Sequence, residues 1–178
     1  ISYCAICDGG FYKDKVVAVF GGGNSAFEEA IYLTKFAKKV YLIHRRQGFR
    51  ADQIAIDEAR KNSKIEFILD VTLDEVLEEN NTVAGVVLHN TQTNEKQTVE
   101  LDGIFIYIGS DARSDLLKGK TALTEQGYVI TDEKMKTEVP GIFAAGDVRD
   151  KILRQVVTAT NDGAVAAQEA SLYLEHLD

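Results

Sequence analysis

The chain is short of several things, and each shortage excludes something. Its longest apolar runs, Val16-Val17-Ala18-Val19-Phe20 and Ile104-Phe105-Ile106-Tyr107-Ile108, are strand-sized, far below the ~20 residues of a membrane span. No basic stretch followed by an apolar segment is visible, so no secretory leader is expected. Cations are the minority charge, 20 Lys and Arg against 28 Asp and Glu. The resulting net charge of -8 disfavours nucleic acid and anionic membrane as partners of the surface as a whole. Histidine is scarce: His44, His89 and His176 are scattered and form no spaced ligand pair. Only two cysteines occur, as Cys4-Ala5-Ile6-Cys7. One such pair neither staples a fold of this size nor fills a zinc site, which usually takes four ligands, and no metal is expected. The pair reads either as half a zinc site or two buried thiols, or as a dithiol that opens and closes.

What is present is ordinary for a globular protein: 45% hydrophobic and 27% charged residues in 178, with 14 glycines. Lys15 to Phe20 is a continuous apolar run ending in Gly21-Gly22-Gly23, the pattern of a strand buried on both faces of a parallel sheet. From Asn24 to about Lys38 the apolar positions take helical spacing, at Phe27, Ala30, Ile31, Thr34 and Ala37. Asn24 or Ser25 is expected to cap that helix. Val40 to Ile43 reads as a second buried strand, which completes a βαβ unit of about 30 residues. A helix over about Ala51 to Asn62 and a third strand over Ile65 to Leu69 follow. Thr82 to His89 and Lys96 to Leu101, separated by polar residues 90–94, predict an antiparallel hairpin inserted before a parallel strand at Gly103 to Ile108. A polar seam runs from Asp111 to Lys120. Beyond it lie the only proline, Pro140, and a helical pattern from about Leu153 to Leu177, interrupted at Asp162-Gly163. This tail has too few apolar elements to enclose a core alone. The fold class expected is α/β, Rossmann-like.

Three motifs carry chemistry. Gly21-Gly22-Gly23-Asn24-Ser25-Ala26 fits G-x-G-x-x-A between a strand and a helix. Glycines let the backbone approach a pyrophosphate, and the helix amides and dipole bind its charge. A bland turn gives the same letters, but the βαβ setting favours a dinucleotide. About twenty residues on, where an NAD site carries an acid for the ribose hydroxyls, the chain has His44-Arg45-Arg46 and then Arg50. Guanidinium groups bind a 2′-phosphate bidentately, so NADPH is preferred over NADH. The third motif is Cys4-Ala5-Ile6-Cys7-Asp8-Gly9. Its spacing places two thiols within disulfide reach and depresses a thiol pKa. Asp8 reads either as a proton donor and acceptor beside Cys7 or as a turn former before glycine.

Together, Tyr-Cys-x-x-Cys-Asp-Gly, Gly-Gly-Gly-Asn-Ser-Ala and His-Arg-Arg-x-x-x-Phe-Arg resemble the low-molecular-weight, bacterial-type thioredoxin reductases. Gly146-Asp147-Val148, Arg154 to Ala159 and Asp162-Gly163 resemble that family's closing flavin segment, so the likeness covers essentially the whole chain. The resemblance implies hydride transfer from NADPH to FAD, then two electrons to a Cys4–Cys7 disulfide, whose dithiol reduces thioredoxin. It implies Cys7 beside the flavin, Cys4 as the thiol that attacks thioredoxin, and Asp8 as acid/base. Gly21, Gly22, Gly23, Asn24, Ser25 and Ala26 would hold the NADPH pyrophosphate region, and His44, Arg45, Arg46 and Arg50 its 2′-phosphate end. Ile108 and Gly109 would lie against the nicotinamide nucleotide. Gly146 and Asp147 would contact the ribityl and phosphate part of FAD, and Arg154, Gln155 and Val156 its ring.

Two departures stand out. After Ile108-Gly109 the family continues with a proline-containing loop, whereas this chain reads Ser110-Asp111-Ala112-Arg113-Ser114. The family's first glycine-rich fingerprint, for the ADP half of FAD, does not occur. The expectation is therefore an NADPH-binding domain over 1–112 and a C-terminal segment of an FAD-binding domain over 113–178, with a hinge near Asp111. It also covers a homodimer and a cytoplasmic location in the intact enzyme, and NADPH binding at most in this segment by itself. The alternatives are the flavoprotein component of an alkyl hydroperoxide reductase, which favours NADH, and a non-catalytic NADPH-binding module.

Overall fold

The computed structural model describes residues 1–177. They form two compact units, one of Ile1–Gly109 and one starting at Ser110, so the division falls shortly before the expected position after residue 112.

The first unit runs α1 (Ala5–Asp8), β1 (Val16–Gly21), α2 (Asn24–Leu33), β2 (Lys39–His44), α3 (Gln53–Lys61), β3 (Ile65–Leu69), β4 (Val71–Glu79), β5 (Thr82–Asn90), β6 (Lys96–Glu100) and β7 (Gly103–Tyr107). The apolar runs β1, β2, β3 and β7 make a parallel sheet in the order β3-β2-β1-β7. Such strands are covered on both faces. One face buries Val17, Val19, Val40, Leu42 and Phe105 under Phe27, Ala30 and Leu33 of α2 and Ile56 and Ala59 of α3. Burying a side chain such as Phe27 or Leu33 contributes about 1.5–3 kcal/mol. The other face packs Ala18, Phe20, Ile43 and Ile104 against Val71, Val86 and Leu88 of a second sheet. The strand ends of β1, β2 and β7 thereby come together at one edge, the place where open α/β sheets bind ligands.

Three local expectations are corrected. The inserted hairpin β5–β6 is present, but β4 joins it to make a three-stranded antiparallel sheet, β4-β5-β6. Glu and Asp at 74, 75, 78 and 79 and two register shifts break the alternation that would have revealed β4. Helix α2 ends at Leu33, well short of Lys38, because the Thr34 hydroxyl donates to the Ile31 carbonyl at 2.6 Å and the chain turns toward β2. Neither Asn24 nor Ser25 caps that helix; Gly23 is its N-cap.

The second unit has short 3-10 turns at Asp115–Leu117 and Gly146–Val148 and the helix α4 (Val156–Glu175). Its buried apolar residues are few, Val129, Met135 and Ala144, while Val156 of α4 is 83% exposed. Helix α4 runs through Asp162-Gly163 without the expected interruption. Glycine costs about 1 kcal/mol there, but the Asp162 carboxylate accepts from the Gly146 N–H at 3.0 Å and pairs with Arg149 at 3.0 Å and Lys151 at 2.7 Å. That buried junction fixes the helix at this point. No helix among the described residues is long and apolar enough to cross a membrane.

Candidate functional site

The glycine turn is built by close packing. A Cβ on Gly21 would stand 2.5 Å from the Tyr107 carbonyl oxygen and 2.7 Å from Ala26 Cβ. Ala26 is fully buried, so its small side chain sets how closely α2 approaches β1 and does not itself face a ligand. A Cβ on Gly22 would run into the His44 imidazole. Gly23 differs: apart from its own chain neighbours, no described protein atom lies within 4 Å of the point its Cβ would occupy. The turn thus presents bare backbone, with the helix dipole of α2 behind it, to the space in front of the sheet. Ser25 is exposed there. Asn24 is exposed too, but its carboxamide is engaged: Nδ2 donates to Asp52 at 2.8 Å and Oδ1 accepts the Asp52 N–H at 2.7 Å.

A cleft of ≈ 410 Å³ opens in front of this turn. Gly21 and Gly22, His44 with Arg45, Arg46 and Arg50, and Tyr107 with Ile108 line it. Three arginines therefore line one cleft, and among the described residues none of them forms an ion pair. That concentration of cations in an acidic chain suits a phosphate. His44 is held below its ordinary pKa, first by burial and then by Arg45, Arg46 and Arg50, despite a Gly48 backbone contact acting the other way. Burial and the neighbouring arginines thus favour its neutral form. The loop carrying the arginines is fastened at its far end: Phe49 meets Phe27 edge-on at 4.9 Å, and the Arg50 N–H donates to the Gly22 carbonyl at 2.7 Å. Gly109, at φ 108°, closes the strand end beyond Ile108.

Cys4 and Cys7 form a disulfide across α1. Cys4 is half-buried and Cys7 exposed. Cys4 Sγ accepts the Cys7 N–H at 3.1 Å as the helix cap. Asp8 takes the Ser2 hydroxyl at 2.7 Å, and its own N–H donates to the Cys4 carbonyl at 3.1 Å. The disulfide turn does not line the cleft, yet Tyr107 joins the two, because its hydroxyl accepts the Ala5 N–H at 2.7 Å. Against that hydroxyl lies Glu29, whose Oε2 is buried without a hydrogen-bond partner. No group of His, Cys, Asp and Glu suited to a metal occurs among the described residues.

In the second unit the remaining expected residues gather around the turn at 146–148. Arg154 Nε donates to the Asp147 carbonyl at 3.2 Å, and its guanidinium covers the Tyr128 ring at 3.9 Å. Gln155 begins α4 through a reciprocal capping box with Thr158. Gly146 sits at φ 80°, Asp147 is exposed, and Val156 projects into solvent.

Sequence reasoning missed Tyr107, Glu29, Ser2, Asp52 and the cleft wall of Val71, Thr72 and Leu73. Asp52 alone left a trace, as a capping residue before a helical pattern. Tyr107 sat inside an apolar strand run and read as core.

The profile of the pyridine nucleotide-disulphide oxidoreductases matches residues 1–163. The chain is 48% identical to a thioredoxin reductase of Bacillus subtilis over 177 residues, which are 99% of this chain and 56% of that protein. A thioredoxin reductase of Listeria innocua is 46% identical over the same share of each chain. The crystal structure of thioredoxin reductase from Streptococcus pyogenes superposes with a TM-score of 0.91 at 46% identity, covering 98% of this chain and 57% of that one. The chain thus spans a little over half the length of the relatives it matches. With a match over nine-tenths of its length, a glycine turn before α2 and a disulfide on α1, the chain belongs to the pyridine nucleotide-disulphide oxidoreductase family.

Proposed function

We propose that this chain supplies the NADPH site and the redox-active disulfide of an FAD-dependent thioredoxin-disulfide reductase. The observation that carries the reading is the set of Arg45, Arg46 and Arg50 around one cleft, beside the glycine turn and without an ion pair among the described residues. The names of the relatives support thioredoxin as the partner. In this reading residues 1–109 are the NADPH unit, and the second unit holds part of the flavin through Gly146, Asp147, Arg154, Gln155 and Val156. The exposed Asp147 and the exposed apolar start of α4 fit such a surface. FAD, when bound, relays two electrons between the nicotinamide and the disulfide.

The chain's own residues then do the following. The turn at Gly21 to Ser25 seats the pyrophosphate, with Ala26 setting the approach of α2 behind it, and Arg45, Arg46 and Arg50 neutralise the 2′-phosphate, with His44 packed against Gly22. Ile108 and Gly109 border the nicotinamide nucleotide. Two electrons and two protons open the Cys4–Cys7 bond to a dithiol, and Asp8, steadied by Ser2, handles a proton at Cys7. Cys4 attacks the thioredoxin disulfide as a thiolate. Cys7 then closes on Cys4, which releases thioredoxin as its dithiol and restores the disulfide. A homodimer and a reducing, cytosolic setting belong to the same reading and rest on the resemblance.

Two measurements test it. Replacing Arg45 and Arg46 by alanine should weaken NADPH binding at least about tenfold, the loss of one charge-assisted contact or more, and leave NADH nearly unchanged. Equal losses for both nucleotides would remove the 2′-phosphate assignment. Cys7→Ser should form a stable mixed disulfide through Cys4 with a thioredoxin that keeps only its nucleophilic cysteine, activated as the disulfide of a small aromatic thiol that leaves. Failure to trap one with either single cysteine would remove thioredoxin as the partner.

A further inference from the structure

The basic loop reaches the glycine turn through three fastenings of different kinds. Phe49 is an apolar anchor, set against Phe27 at 4.9 Å and Phe67 at 5.9 Å. The Arg50 N–H donates to the Gly22 carbonyl at 2.7 Å. The third is a reciprocal clasp between side chains and backbone. Asn24 Nδ2 donates to the Asp52 carboxylate at 2.8 Å, and the Asp52 N–H donates to Asn24 Oδ1 at 2.7 Å, across 28 residues of sequence. Asn24 opens α2 at the glycine turn, and Asp52 is the N-cap residue of α3 at the end of the arginine loop. Asp52 offers its own helix no side-chain cap. Its carboxylate is spent on Asn24.

A phosphate site and a second cation site that must act on one nucleotide have to stand at a fixed spacing. An ångström of misplacement between positioned groups costs heavily in a bound complex. The glycine turn is fixed independently of the clasp, by the contact of Gly21 with Tyr107 and Ala26. The arginine loop is held at its middle by Phe49 and by Gln47, whose carboxamide donates to the Asp70 carboxylate, but only the Arg50 bond and the clasp tie it to the turn. We infer that Asn24 and Asp52 are positioning residues for nucleotide selectivity, holding Arg45, Arg46 and Arg50 at the distance that matches a 2′-phosphate to a seated pyrophosphate. This deepens the NADPH reading above and rests on it.

The sign of the effect separates this from simple electrostatics. Asp52 is a carboxylate two residues after Arg50, on the segment that carries the arginines. As a charge alone it competes with phosphate, so its removal would tighten NADPH. As half of a clasp its removal weakens NADPH.

The test measures dissociation constants for NADPH and NADH on the full chain, by quenching of reduced nicotinamide fluorescence. For Asp52→Ala the expected result is NADPH binding weaker by about fivefold, the worth of roughly one hydrogen bond, with NADH changed less than about twofold. Asp52→Asn keeps both bonds of the clasp without the charge and is expected to retain wild-type selectivity. Asn24→Ala removes both bonds and supplies the same readout if Asp52→Ala does not fold; its NADPH-to-NADH selectivity should fall further. Unchanged selectivity in Asp52→Ala and Asn24→Ala, or tighter NADPH in Asp52→Ala, overturns the inference and leaves the NADPH reading standing. A wild-type chain that binds both nucleotides equally overturns both.

Discussion

The Tyr107 hydroxyl accepts the Ala5 backbone N–H at 2.7 Å, joining two residues 102 positions apart, one at the end of β7 and one inside the Cys4–Cys7 loop. Ala5 is fully buried, so this N–H has no water to turn to. Tyr107→Phe should cost about 1–3 kcal/mol, the penalty of a buried donor without an acceptor. Urea unfolding of the oxidised chain should show a lower midpoint at an unchanged slope. The Tyr107 phenol itself, pushed up to about 12 chiefly by burial, stays protonated at any physiological pH.

Glu29 gives a pH dependence. Burial first, and Glu28 second, raise its carboxyl above the ordinary carboxylate value, more than the Tyr107 hydroxyl lowers it. A group whose folded pKa is raised adds stability below its unfolded value and loses it as pH rises through the folded one. Glu29→Gln should therefore unfold at a higher temperature than wild type at pH 7. The difference should close as pH falls toward 4.5. A difference that stays constant with pH would detach Glu29 from the effect.

Two glycine substitutions should part company. Gly21→Ala puts a methyl 2.5 Å from the Tyr107 carbonyl oxygen and should destabilise the chain by about 1–3 kcal/mol or more, as overpacking does. Gly23→Ala meets no described protein atom within 4 Å beyond its own chain neighbours, so its melting temperature should hold within a few degrees, while NADPH binding falls because the methyl enters the ligand's space. Thermal melts and nucleotide titrations on the same two proteins decide the matter.

In the second unit, Asp162→Ala would strand Arg149 and Lys151, which reach the carboxylate at 3.0 and 2.7 Å. Breaking a buried ion pair from one side costs about 3–5 kcal/mol. Burial alone would raise the Asp162 carboxyl, but Lys151, Arg149 and the Gly146 N–H together hold it below its ordinary value. Its contribution is therefore present at neutral pH and lost as pH falls through that lowered value. Protease susceptibility between residues 110 and 177 should rise in the variant at neutral pH, and in wild type only in strong acid.

The parts that were legible in the sequence were those where one physical demand dominates. A strand buried on both faces must be largely apolar, so β1, β2 and β7 showed themselves. Bare backbone at a phosphate must be glycine, and a cluster of arginines after β2 stands out in an acidic chain. What escaped were positions serving two demands. β4 must pack Val71 and Val76 inward while bearing acids outward through two register shifts, which blurs its period. Tyr107 is a strand residue by its neighbours and a hydrogen-bond acceptor by its tip. Asn24 and Asp52 each look like a helix cap, and only their meeting across 28 residues shows that they bind one another.

Ser2 pairs with β7 on the side away from β1, through its N–H to the Ile104 carbonyl at 2.7 Å and its carbonyl to the Ile106 N–H at 3.0 Å. β7 is the terminal strand of the parallel sheet, composed of Gly-Ile-Phe-Ile-Tyr. An open strand of that composition is a template for pairing with another molecule. The segment that leads into the disulfide turn thus also covers the open edge of the sheet, so whatever pulls Cys4 and its neighbours away from β7 uncovers a strand prone to pairing with another molecule.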